Sequence, residues 1–171
     1  MNATETLDAA RARAVLAAVP DPEVPVLSVL DLGIVRDIGV EPGASGPNLT
    51  VTVTPTYSGC PATEAIERAI REALLEAGAA SVEVRMRLSP PWTTDWIAPE
   101  AAERLRAYGI APPGTAAVGG EAPLRFVSRR IACPRCASRD TERLSPFGST
   151  ACKALWRCRA CLEPFEHFKP I

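Results

Sequence analysis

The sequence has a single histidine, His167, among 171 residues. That scarcity excludes His-Glu-x-x-His zinc chemistry and the two-histidine, one-carboxylate iron triad, each of which needs two imidazoles. A Ser-His-Asp triad would have to run through His167 near the end of the sequence, where a fraying tail holds geometry poorly. Neither Gly-x-x-x-x-Gly-Lys-Ser/Thr nor Gly-x-Gly-x-x-Gly occurs, so no standard phosphate-cradling loop is present. No apolar run approaches the roughly 20 residues of a membrane-spanning helix. The opening MNATETLDAARARAV carries acids and no apolar core, so no secretory signal is expected, and a cytoplasmic protein is.

Other features are plentiful. Apolar residues make up 47% and charged residues 23%, a globular composition that excludes a disordered chain. The 17 prolines are about twice the usual 5%, which predicts frequent turns. Net charge is −1 but unevenly spread: residues 1–122 carry 9 basic and 16 acidic side chains, and residues 123–171 carry 10 basic and 4 acidic. Five of the six cysteines fall in the second part. Such a break predicts two modules. The uncharged stretch from Ala111 to Gly120, rich in Gly, Pro and Ala, reads as the linker. The expected organisation is a first domain over 1–110, a linker over 111–123 and a second domain over 124–171.

In the first module, residues 5–19 read as a helix with Leu7, Ala10, Ala14 and Val15 or Ala18 on one face, stopped by Pro20 and Pro22. Ser28 to Gly33 fits a short helical turn with Ser28 as N-cap and Asp31 at the third position. Residues 34–41 and 49–54 read as a strand hairpin. Residues 61–77 form a strong amphipathic helix with Ala62, Ile66, Ala69, Ile70, Ala73 and Leu74 inward. Residues 82–88 alternate as a third strand, expected to run parallel to an earlier one across a right-handed helical crossover. A last short helix spans 99–108. The order α-β-β-α-β-α predicts a small α+β domain.

Thr54-Pro-Thr-Tyr-Ser-Gly-Cys-Pro-Ala62 runs from a strand into that long helix. With Pro61 in the first helical turn, Cys60 falls at or next to the N-cap, where free N–H groups and the helix dipole favour a thiolate. The alternative is a small buried residue with an inert thiol. Asp21-Pro-Glu-Val-Pro, then Asp31-Leu-Gly, then a hairpin, then a Thr-rich loop ending in Cys60-Pro61 resembles the small SufT-like metal–sulfur cluster assembly domain over roughly residues 8–110. The resemblance implies an accessory role in iron–sulfur maturation, with Cys60 as a candidate iron or cluster ligand. Asp21, Glu23 and Asp31 are candidates to add oxygen ligands or orient a metal-bound water; against that stands the commoner use of Asp as a cap of turns and helix starts. Trp92 and Trp96 in Ser89-Pro-Pro-Trp-Thr-Thr-Asp-Trp96 fit either a partner surface or a cover for the core, and a Ser or Thr there can cap a turn around Asp95.

In the second module, Cys133-Pro-Arg-Cys136 and Cys158-Arg-Ala-Cys161 lie 21 residues apart. Two Cys-x-x-Cys turns facing each other make a closed tetrahedral thiolate site, so Cys133, Cys136, Cys158 and Cys161 are expected to bind structural zinc in a ribbon. Rubredoxin-like iron has the same spacing. Strands are expected at 124–131, 154–156 and 165–168, and a module this small should need its metal to fold. Arg125, Arg129, Arg130, Arg135, Arg139, Arg143, Lys153, Arg157 and Arg159 predict a basic surface suited to nucleic acid or to an acidic protein. Cys152 lies in a polar, glycine-bearing stretch that reads as an exposed loop; it is either a plain free thiol or an open-site ligand acting with Cys60.

Taken together, a SufT-like domain, Cys-Pro-x-Cys, Phe147-Gly-Ser-Thr-Ala-Cys-Lys-Ala-Leu155, a second Cys-x-x-Cys and Glu163-Pro-Phe-Glu-His-Phe-Lys169 resemble the PaaD-type subunits of the phenylacetyl-CoA epoxidase system. The resemblance covers nearly the whole chain. It implies a non-oxygenase subunit of aerobic phenylacetate degradation, with no catalysis of its own, that helps mature an iron–sulfur or iron centre in partner subunits. It implies zinc as structural cofactor, transient iron or an iron–sulfur cluster as cargo, and epoxidase subunits and iron–sulfur assembly proteins as partners. No membrane partner is expected, and a homodimer is compatible. The sequence agrees in lacking the Glu-x-x-His pairs of a di-iron bundle and any flavin or nicotinamide motif. The alternative is a nucleic-acid-binding or regulatory zinc ribbon.

Overall fold

Leucine, not alanine, decides which side of the first helix turns inward. In the computed structural model, which describes residues 7–57, 59–114 and 130–171, helix α1 spans Ala9–Leu16 and is capped by Asp8, whose side chain accepts from the Arg11 N–H at 2.8 Å. Its buried residues are Ala12 and Leu16, continued by Val19, while Ala10, Ala14 and Ala18 face solvent. The face expected from the alanines is therefore rotated. Ala contributes too little apolar area to orient a helix against a Leu on another side.

Strands β1 (Val35–Glu41) and β2 (Asn48–Val53) form the antiparallel hairpin, and β3 (Ser81–Met86) runs parallel to β2, as the crossover rule requires. The sheet order is β1-β2-β3. Leu49, Val51 and Val53 alternate inward along β2. Helix α2 (Thr63–Glu76), between β2 and β3 in the chain, buries Ile66, Ile70 and Leu74 and packs on β3 and α1. Ala69 and Ala73, expected inward, are only half-buried at the edge of that stripe.

The chain divides into two units by its contacts, after Trp92. This differs from the expected boundary at 111–123. Helix α3 (Pro99–Tyr108) ends at Gly109, whose φ of 96° is the left-handed C-terminal turn that glycine allows. The chain then enters a two-residue strand, β4 (Ile110–Ala111), which pairs in parallel with β7 (Pro164–Phe168). Ala111, expected to open the linker, is thus part of the second unit. Two residues are too short for any periodicity to announce. The second sheet runs β4-β7-β6-β5, with β5 at Thr141–Ser145 and β6 at Lys153–Cys158. Most of the strand expected at 124–131 lies outside the described residues. Among the described residues no helix is long and apolar enough to cross a membrane.

Candidate functional site

The candidate residues gather at two places in the chain. The first is the ribbon's cysteine cluster. The turns at Cys133–Cys136 and Cys158–Cys161 bring four sulfurs within 4.8 Å of one another. Cys133 and Cys161 Sγ are 3.7 Å apart, and Cys136 and Cys158 Sγ are 3.6 Å apart. A regular tetrahedron with metal–sulfur bonds of about 2.3 Å has sulfur–sulfur edges of about 3.8 Å. The thiols therefore stand where a zinc or a similar tetrahedral metal would hold them, not at the roughly 2.0 Å of a disulfide. All six cysteines are free thiols.

The local sequence explains the geometry. The Ala137 N–H closes the first turn on the Cys133 carbonyl at 2.9 Å, and Ala137 at φ 59° and Leu162 at φ 64° take the left-handed conformation just past each pair. The Cys161 N–H points at Cys158 Sγ at 3.5 Å. That backbone donor first, then the Ala160 N–H and neighbouring thiols, outweigh burial and pull the Cys158 thiol down to about 7. Cys133 and Cys158 are buried with Ala111 and Phe165, while Cys136 and Cys161 lie on the surface. Thr141 Oγ1 donates to the Ile131 carbonyl at 2.7 Å and ties β5 to the first knuckle.

The second place is the loop from β2 into α2. Helix α2 begins after Ala62, so Cys60 lies two positions before the N-cap, not on it, and Pro61 precedes the helix. The Cys60 carbonyl accepts the Thr63 N–H at 3.2 Å, and the Cys60 N–H donates to the Tyr57 carbonyl at 3.3 Å. Cys60 is 9% exposed. Burial pushes its thiol up, and the nearby charges of Glu23 and Asp21 add to the rise; the Ala62 N–H and the Tyr57 side chain pull the other way and lose. The lowered thiol expected from the helix dipole is thus corrected: desolvation exceeds the help of one backbone donor.

The acidic candidates fall partly into place. Asp21 is buried, and its Oδ1 accepts the Glu23 and Val24 N–H groups at 2.9 and 2.8 Å, capping the Asp-Pro-Glu-Val turn. Asp31 Oδ2 accepts both the N–H and the hydroxyl of Ser28 at 2.8 Å, and Ser28 Oγ accepts the Asp31 N–H at 3.1 Å. That reciprocal pair is the expected capping box. Asp21 and Glu23 lie close enough to Cys60 to act on its charge. Among the described residues, however, the ribbon cysteines are the one group of three or more ligand atoms gathered for a metal.

Two further expectations are corrected. Cys152 is not in an exposed loop: it is 3% exposed, its sulfur lies 3.0 Å from Thr150 Oγ1, and its carbonyl accepts the Lys169 N–H. Lys153, counted as basic surface, is 2% exposed and paired with Glu166 at 3.0 Å. Of the two readings left open for the tryptophans, Trp92 takes that of a core cover. Trp92 is buried with its indole N–H on the Leu32 carbonyl at 2.8 Å, and half-buried Trp96 closes a short 3-10 turn, Thr94–Trp96, capped by Thr93 on the Asp95 N–H. Sequence reasoning missed Glu142, which bridges Arg157 and Arg159. Only its cross-strand pairing with Arg157 reveals that role.

Each of the two places falls within the span of a matched family. Residues 9–86 match the family described as iron-sulfur cluster assembly protein, and residues 120–169 match the PaaD zinc beta ribbon domain. The chain is 50% identical over 158 residues to an Escherichia coli (strain K12) protein named as a subunit of 1,2-phenylacetyl-CoA epoxidase, covering 92% of this chain and 90% of that one. Among solved structures, a domain of unknown function from Bacillus anthracis matches with TM-score 0.51 at 28% identity, over 56% of this chain and 89% of that one. A conserved hypothetical protein from Thermotoga maritima matches with TM-score 0.50 at 30% identity, over 61% of this chain and 98% of that one. With matches to an iron–sulfur assembly domain and a PaaD zinc ribbon, and a relative at this identity over most of both chains, the chain belongs to the family of PaaD-type phenylacetyl-CoA epoxidase subunits.

Proposed function

We propose that this chain is a cytoplasmic maturation subunit that carries iron or an iron–sulfur cluster to partner subunits of the epoxidase, with Cys60 as the ligand that handles the cargo and the ribbon as a zinc-stabilised docking module. The observation that carries the reading is the setting of Cys60 on the strand-to-helix loop of the assembly domain, within reach of the Asp21 and Glu23 charges. Carboxylates that disfavour a bare thiolate favour an arriving cation. The cation in turn stabilises the thiolate that binds it. Burial keeps the thiol protonated until then, which protects it from oxidation. Asp21 serves this by fixing the turn that carries Glu23. Lying at the edge of exposure suits a ligand that must release what it holds.

The experiment co-expresses the epoxidase subunits with wild-type or Cys60→Ala protein and measures epoxidase activity and partner iron. The variant should stay folded, keep its zinc and lose at least about tenfold in activity. A folded, zinc-loaded variant that supports full activity and full partner iron makes Cys60 a packing residue and removes the reading.

A further inference from the structure

Strand β3 is an edge of its sheet, and among the described residues no strand lies on its outer side. Its pairing with β2 is in unbroken register from Ser81 to Met86. The Arg87 N–H donates to the Val53 carbonyl at 2.8 Å. Successive residues of a strand point their peptide groups alternately to either side. Ser81, Glu83 and Arg85 therefore bond to β2, and the N–H and C=O groups of Val82, Val84 and Met86 point outward. The edge carries no proline, no lysine and no bulge, the usual guards against strand pairing. Its apolar border is open: Val82 and Val84 are half-buried, Met86 is 39% exposed, and Leu88 beyond it is 59% exposed.

We infer that β3 pairs with β3 of a second copy of this chain, antiparallel and centred on Val84, to make a continuous six-stranded sheet. The occupant follows from self-complementarity. About a two-fold axis at Val84, Glu83 faces Arg85 of the partner subunit, and Val82 faces the partner's Met86. The outward groups of Val82, Val84 and Met86 then fall at the hydrogen-bonded positions of the antiparallel ladder, about six bonds in all. Glu83 and Arg85 fall at the non-bonded positions, where opposed side chains come closest. Within one chain these two already pair at 2.7 Å on the open face of the sheet, well exposed. The dimer turns two isolated pairs into an alternating row of four charges, and each edge covers the other.

The test is sedimentation equilibrium of the full chain, with far-UV spectra and metal content as controls for folding. The wild type should be a dimer. Arg85→Glu, which sets like charges opposite each other twice, should raise its dissociation constant about tenfold. Adding Glu83→Arg should restore it, because the swapped charges again face opposite partners. Val84→Pro removes an N–H that does not face β2, so it should abolish the dimer and leave the sheet intact. A wild-type monomer overturns the inference, and so does a dimer that neither Arg85→Glu nor Val84→Pro weakens, or a double variant no tighter than Arg85→Glu alone.

Discussion

A thiol two residues ahead of a helix is governed by what surrounds it more than by the helix. Cys60 shows this, because burial and two carboxylates raise it although the Ala62 N–H reaches its sulfur. The consequence is directional. At neutral pH Cys60 should alkylate more slowly than a free thiol of pKa about 8.5. Its rate should rise with pH to a later midpoint, and Glu23→Gln should move that midpoint down. Peptide mapping of iodoacetamide-labelled protein that holds its ribbon zinc but no iron reads both effects; a midpoint below that of a free thiol overturns the assignment. Asp31 is legible from sequence for the opposite reason, since its role is local. Ser28-x-x-Asp31 closes its capping box within four residues, so Asp31→Ala should cost about 1 kcal/mol in chemical denaturation. The setting of Cys60 depends on Glu23, 37 positions earlier in the chain, and no spacing announces that.

Elements with a strong period are readable from sequence, and those fixed by partners are not. Helix α2 and the three strands of the first sheet fall close to their expected ranges because Ile66, Ile70 and Leu74, or Leu49, Val51 and Val53, repeat at the right interval. Strands β4 and β5 have no such repeat, and Lys153 on β6 reads as surface because its partner Glu166 lies on another strand. That pair gives a sharp expectation. Glu166 also accepts the Ser149 N–H, and a Cβ at Gly148 would sit 2.5 Å from Glu166 Oε1, so that carboxylate would have to shift. Glu166→Gln removes the counter-charge of a nearly buried ammonium and should destabilise the ribbon by about 1–3 kcal/mol in thermal denaturation. Lys153→Met with Glu166→Leu should recover most of that loss, because no buried charge is left. Equal loss in both variants would show that packing, not charge, sets the cost. The cysteine cluster is more decisive. Elemental analysis should find about one zinc per chain, and Cys133→Ser should lose it and unfold the second sheet. Retention of full zinc in that variant would defeat the four-thiolate assignment.

For the molecule as a whole, net charge says less than the arrangement of charge. The ribbon's excess of basic residues suits either nucleic acid or an acidic protein surface. Its structure reduces the free positive field. Lys153 is buried against Glu166, Arg157 and Arg159 share Glu142, and Arg135 lies 3.3 Å from Glu163. Phosphate binding needs cations free to release counterions, and each one held by a carboxylate contributes little to that. Arg125 and Arg129 lie outside the described residues; among the described ones Arg130, Arg139 and Arg143 stay exposed without a carboxylate named above, enough to orient a protein partner. Gel-shift titration of random DNA at about 150 mM salt should therefore show binding no tighter than the non-specific micromolar range. Glu142→Ala, which frees two arginines at once, should tighten that weak binding and steepen its salt dependence. Tight, sequence-selective binding by the wild-type chain would instead make the ribbon a nucleic-acid module and leave docking to another surface.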